Sequence, residues 1–321
     1  MTFQVSTPTP PGLWRRTPPA IFPPIMGLFG LGLAWRAGVG AFDVPRAISD
    51  LILGASALLF GWALLAYVVK ILRRPAALVD DLRVLPGRAG VAAAMLCFYL
   101  LALALAPFDP LSAWVVLVLG LVLHGIVMLV MISLFLRGPA EQRRITPVWH
   151  LMFVGPVIAA LAALGLEVWP LALALGAATG MIAIAVWSVS LDQLTSETVP
   201  APLRPLLAIH LAPAVLLGLL AQGLDLELVA SGFSILGAVI LGFLVVRAFW
   251  LTEAGFSALW GAFTFPLAAT ATLWLSMGGN WRHAGGVALV AATLIVPWIA
   301  GRIVQAWAKG QLAVRTNASV A

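Results

Sequence analysis

The chain reads as an all-α integral membrane protein of ten transmembrane helices built from repeated helical hairpins. Three observations lead there: ten long charge-free runs, basic residues that gather on one side of the alternating loops, and prolines concentrated in the odd-numbered runs. A bilayer core about 30 Å thick takes roughly 20 apolar residues of helix, the form that satisfies its own backbone polar groups in hydrocarbon. The runs free of Asp, Glu, Lys and Arg are 17–35, 51–69, 89–108, 110–136, 145–166, 168–191, 205–224, 228–246, 254–281 and 283–301, each 19 to 28 residues long.

Each run carries its own marks. The first holds Pro23 and Pro24 with Gly27, Gly30 and Gly32, small residues that permit close helix contact. The second carries Trp62, deep enough to be expected in the packing. The third holds the lone Cys97, read as a small core hydrophobe, and has a proline only near its end, Pro107. His124 lies in the fourth run, His150 at the start of the fifth, and Pro156 within it. The sixth repeats the glycine theme at Gly176 and Gly180. The seventh holds His210 and Pro213, the ninth Pro266, and the tenth Pro297 and Trp298, the latter also expected to pack. A proline frees a carbonyl one turn earlier, which a membrane tolerates where another helix or a water-filled cavity satisfies it. Kinked odd helices alternating with plain even ones suggest hairpins with one member lining something polar and the other forming a shell. Tryptophans such as Trp35, Trp114, Trp169 and Trp307 mark the water interfaces.

Composition agrees: 62% of residues are hydrophobic and 9% charged, with a mean hydropathy of +1.07, against about 25% charged in soluble domains. Of the 18 basic residues, 15 fall in one set of loops and only Arg36, Arg46 and Arg282 in the other. The positive-inside rule places the larger set, and both termini, in the cytoplasm. Basic charge here records insertion, so no nucleic-acid partner is expected. The reading divides the chain into a cytoplasmic tail over 1–16, a transmembrane domain over 17–308 and a second cytoplasmic tail over 309–321, with no removable signal peptide. The longest cytoplasmic connection, 70–88, leaves no room for a second domain, and its Asp80-Asp81 pair reads as a solvated charge run.

Ionisable groups are costly at the bilayer midplane, about 2.5 to 3.5 kcal/mol on insertion scales, and persist there when used. All the acidic residues fall at run ends or in loops, so a passive path is favoured over a pump. An anion would be drawn to mouths bearing Arg or Lys and bound weakly enough to leave. No two histidines stand three or four residues apart, and no nucleophile elbow, His-Glu-x-x-His or phosphate-binding Gly-Lys-Ser/Thr sequence occurs. No metal, cofactor or enzyme activity is expected, and an integral membrane enzyme is the least favoured reading. His210 is a secondary site candidate near the cytoplasmic end.

Three segments carry a family resemblance. Phe22-Pro23-Pro24-Ile25-Met26-Gly27-Leu28 through Trp35-Arg36, Pro202-Leu203-Arg204-Pro205 with Ala208-Ile209-His210-Leu211-Ala212-Pro213, and Trp260-Gly261-Ala262-Phe263-Thr264-Phe265-Pro266 resemble the first, seventh and ninth helices of the tellurite-resistance TehA and plant slow-type anion channel family, also called tellurite-resistance/dicarboxylate transporters. The resemblance implies five hairpins around a central pore with the odd helices inside, a homotrimer with one pore per protomer, and a bacterial inner (plasma) membrane location. It implies a gated channel passing small inorganic or organic anions; the alternatives are a proton-coupled carrier of C4-dicarboxylates such as malate, or a tellurite or other oxyanion transporter. It places the gate at Phe265 and pore-lining candidates at Phe22, Met26, Pro156, Pro213 and Pro266. Pro23 stands where the family has a glycine after the first-helix phenylalanine.

Overall fold

The computed structural model of the protein describes residues 12–321; the expectation that no leader is removed falls on residues 1–11, outside that range. The regular elements among the described residues are helical: α1 (Phe22–Phe42), α2 (Arg46–Arg73), α3 (Ala76–Arg83), α4 (Leu85–Leu105), α5 (Pro110–Arg137), α6 (Val157–Gly165), α7 (Trp169–Ser196), α8 (Leu211–Gly223), α9 (Glu227–Val246), α10 (Ala248–Leu251), α11 (Thr264–Met277), α12 (Trp281–Ala308) and α13 (Gln311–Arg315). Nine helices among the described residues are long and apolar enough to cross a membrane, and a shorter apolar stretch, His150–Gly165, stands in the place of the fifth run. The protein is a multi-pass helical membrane protein.

Prolines decide how several of these helices begin. A 3-10 turn, Pro19–Ile21, leads into α1; a π-turn, His150–Val154, into α6; a ten-residue 3-10 segment, Ala201–His210, into α8; and another, Ala258–Phe263, into α11. Each lies beside a proline that lacks the N–H an α-helix would use. Among the helices of the odd-numbered runs, the one without such an entry is α4, whose run carries no internal proline before Pro107.

Five helices close a ring. α1 packs on α4, α4 on α6, α6 on α8, α8 on α11, and α11 back on α1. The long helix that follows each of them, respectively α2, α5, α7, α9 and α12, lies against its predecessor. In the most apolar stretch of α1, α4, and the spans ending in α8 and α11, 50–83% of residues are buried, against 22–39% in the five outer helices. The outer helices expose Leu58, Leu129, Ile184, Val239 and Leu294, one from each. Such faces suit lipid tails, which are as apolar as leucine.

Without a hydrophobic drive between helices in lipid, close packing has to hold the ring together. A methyl group on Gly90 would land on the Pro19 carbonyl, and one on Gly27 on the Thr264 hydroxyl. Neither glycine leaves room for a side chain. Two connections repeat one another. Glu167 after α6 and Asp225 after α8 adopt left-handed φ of 61° and 57°. The next amides reach back five residues, Val168 N to Ala163 O at 2.8 Å and Leu226 N to Ala221 O at 2.9 Å. This closure satisfies the last carbonyls of each ring helix before the chain turns into its outer neighbour.

Three expectations are corrected here. Asp81 is not part of a solvated charge run: it is fully buried, with Lys70 Nζ at 2.7 Å and the Tyr67 hydroxyl at 2.9 Å, whereas its neighbour Asp80 stays near the surface with Arg74 and Arg83. Lys70 is likewise buried within the last turn of α2 rather than in a loop, because Asp81 and the Thr17 carbonyl, 3.0 Å away, replace its water. Trp62 and Trp298 do not pack inside; both are about half exposed on outer helices, where an indole can meet lipid.

Candidate functional site

Three cavities follow one another along the ring axis, and Phe265 borders all three. The first, about 40 Å³, is bounded by the beginnings of the ring helices, among them Pro23 and Met26, Pro86 and Ala89, Ile209, and Ala262. The last, about 450 Å³, is bounded by their later turns, including Leu33, Leu103, Leu161, Leu219 and Thr272. Between them lies a space of about 10 Å³, room for one water molecule at most. The five ring helices therefore run in the same direction.

Phe265 sits one residue before Pro266 in the first turn of α11 and is 5% exposed. Its ring lies over Gly30 of α1: a Cβ built on that glycine would come within 2.9 Å of Phe265 Cδ2 and 3.2 Å of Ala268 Cβ. The absence of a side chain at Gly30 gives the ring its seat. Met26 borders the first and middle cavities, Pro213 the middle one and Pro266 the first. Phe22 and Pro156 border none of the three. The Phe22 ring turns outward instead, edge-on to Phe60 at 6.2 Å and to Tyr67 at 5.9 Å. Pro23 takes the axial position.

Pro156 acts through the backbone. One turn earlier, the Met152 carbonyl would look to residue 156 for an N–H and finds none; His124 Nε2 approaches it at 2.9 Å from α5. A carbonyl only accepts, so Nε2 carries the proton and Nδ1 accepts from the Tyr99 hydroxyl at 3.0 Å. His124 had no function assigned by its position in the sequence, yet it supplies the donor that a proline in the next run removes.

The walls of the axial cavities carry no Asp or Glu, and Arg36 is their one charged side chain among the described residues. Expected in a loop, it lies within α1 and borders the large cavity, its guanidinium donating to Leu103 O at 3.2 Å, Ala104 O at 3.3 Å and Asp50 at 3.4 Å. Asp50 is shared with Arg46, also 3.4 Å away, so this local cluster carries one positive charge beside the large cavity, while Asp43, Asp109, Glu167, Asp225 and Glu227 stand in or beside the turns at the same end. At the opposite end the cations point away from the axis: Arg88 donates to Leu82 O and stacks on Phe135, and Arg204 pairs with Glu253 over Trp250.

His210 does not stand at an axial mouth. Its Nδ1 lies 3.0 Å from His150 Nε2, a pairing across 60 residues of sequence, and it borders a separate cavity between Ala201–His210 and α7.

No curated protein matches the chain. A family model described as voltage-dependent anion channel (SLAC1) matches residues 16–305. That stretch takes in the whole ring, its outer shell and Phe265, and the chain belongs to that family of anion channel and transporter-type membrane proteins.

Proposed function

We propose that the protein is a gated channel that conducts small anions passively along the ring axis, with one pore per protomer and Phe265 as the gate. The observation that carries this reading is the position of Phe265 at the junction of the three axial cavities. The architecture it assumes is ten membrane passages as five hairpins around a central pore, the odd-numbered passages inside. Arg36 supplies a cation at one mouth, apolar walls supply no strong trap, and weak binding is what conduction requires. Among the described residues the axial walls hold no Asp or Glu, and the one histidine that borders them, His150, is engaged with His210; the lack of a carboxylate favours a channel over a proton-coupled dicarboxylate or oxyanion carrier.

The test is the reversal potential of purified protein in a planar bilayer under a chloride gradient with a large organic cation. A reversal potential is a ratio, so it is readable from small leak currents. A channel gives one that follows the chloride gradient and ignores a transmembrane pH difference; one that moves with pH identifies a coupled carrier.

The reading includes both termini in the cytoplasm, from the 15-to-3 partition of basic residues, and a homotrimer, from the family resemblance. Cysteines placed beside Arg143 and Arg315 should resist an impermeant thiol reagent added outside while one beside Asp109 reacts, and the detergent-corrected mass should be that of three chains. Reversed labelling, or a mass of one or two chains, removes the corresponding part.

A further inference from the structure

Away from the axis, a cavity of about 350 Å³ lies between the 3-10 segment Ala201–His210, the last turns of α7 and the loop before the π-turn. Eight buried side-chain polar atoms among the described residues have no hydrogen-bond partner, and three of them belong to residues of this one wall: Thr146 Oγ1, Ser190 Oγ and His210 Nε2. Each carries the desolvation penalty of an unmade bond, which a ligand acceptor would lift. All three belong to residues that line this one cavity, which distinguishes a site from scattered packing faults; the atoms have almost no accessible surface as the side chains stand, so a ligand reaches them by side-chain rotation.

Their chemistry narrows the ligand. Two hydroxyls can donate. His210 Nδ1 shares one proton with His150 Nε2; when His150 holds it, His210 Nδ1 accepts and its Nε2–H becomes a third donor. The cavity thus offers donors to an acceptor-rich group. Full charge is nearby but balanced, since Arg144 pairs with Glu197 at the rim. Much of the remaining wall is apolar, with Leu194, Val199, Leu203 and Leu207. A dianion would lack a free cation, and a bare halide, with a volume near that of a water molecule of about 30 Å³, would leave most of the space empty. A single carboxylate charge can be held by several hydrogen-bond donors without a cation, and with a short apolar body it fits the acceptors and the volume.

The cavity also adjoins the axis. Leu206 borders both this cavity and the 40 Å³ axial cavity, and Ile209, next to His210, borders the latter. Both belong to a 3-10 segment ten residues long that contains Pro205, whereas such helices are uncommon beyond three or four residues and often mark hinges. We infer that the cavity binds a small organic monocarboxylate through Thr146, Ser190 and His210, and that occupancy moves the 3-10 wall and thereby changes conductance. The second half rests on the channel reading; the first half does not.

The experiment uses the purified full chain and titrates butyrate and benzoate, with butyramide and benzamide as uncharged counterparts, following thermal stabilisation. A carboxylate should stabilise the protein and its amide should not. Ser190→Ala, which removes a hydroxyl without a protein partner and so spares the fold, should weaken the apparent affinity at least tenfold. Ser133→Ala, beside a different cavity, should leave it unchanged. Binding of neither carboxylate, equal binding of the amides, or parent-like binding by Ser190→Ala overturns the site. In bilayers, the bound carboxylate should alter the parent's chloride current and leave that of Ser190→Ala unaltered. Binding without that effect overturns the coupling alone, and a parent that passes no chloride overturns the channel reading while the site stands.

Discussion

Phe265→Ala should give folded protein with an anion current at least tenfold above the parent's and little cation current. Removing the ring takes away the one side chain that borders all three spaces, of about 40, 10 and 450 Å³. Truncating a phenylalanine packed in a core typically costs 3 to 5 kcal/mol, and a ring used only for packing would lower stability without raising flux. Part of the Phe265 surface already faces cavity, so the loss should fall toward the lower end of that range. Single-channel conductance and thermal denaturation of the same preparation separate the two roles. A folded variant that conducts no better than the parent would dismiss Phe265 as the gate.

Lys70→Met should be the most destabilising of the conservative substitutions outside the ring axis, by about 3 to 5 kcal/mol. Both Lys70 and Asp81 are fully buried, and the pair anchors more than itself: Asp81 also accepts from the Ser319 amide at 2.8 Å, while Lys70 donates to Thr17 O at 3.0 Å. One buried carboxylate would be left with hydrogen-bond donors and no counter-charge. Replacing both partners, as Lys70→Met with Asp81→Leu, should recover much of the loss, since an apolar pair of similar volume often substitutes for a buried ion pair. Thermal denaturation of the two variants decides; a single variant as stable as the parent, or a double variant no better than the single, contradicts this account.

The membrane-spanning character was legible because the cost of charge in hydrocarbon is paid residue by residue and leaves a local record. The broken helix entries were legible too, since Pro156, Pro213 and Pro266 each remove a specific backbone donor. The facing of α1 was not. The family resemblance put Phe22 toward the axis, but Pro23 and Met26, three residues apart on one face of α1, are the residues that border the first cavity, and the Phe22 ring packs against Phe60 and Tyr67 of α2. The pairing of His150 with His210 depends on which segments the ring brings together, and that of Lys70 with Asp81 on how the short α3 folds back against α2; neither spacing in the chain announces it. Arg36 was misplaced because a charge at the end of a run looks the same whether it points to water or into a cavity.

The common direction of the five ring helices has a mechanical consequence. Many secondary carriers alternate between inward-open and outward-open forms because two inverted repeats, related by a two-fold axis in the membrane plane, exchange conformations. Helices that all start at one end of the ring and finish at the other possess no such axis among themselves. Turning this ring inside out would not produce an equivalent arrangement, so rocking lacks the symmetry that makes its two end states comparable in energy. What the fold does allow is a change at a single side chain above Gly30, a motion of one ring rather than of half a molecule.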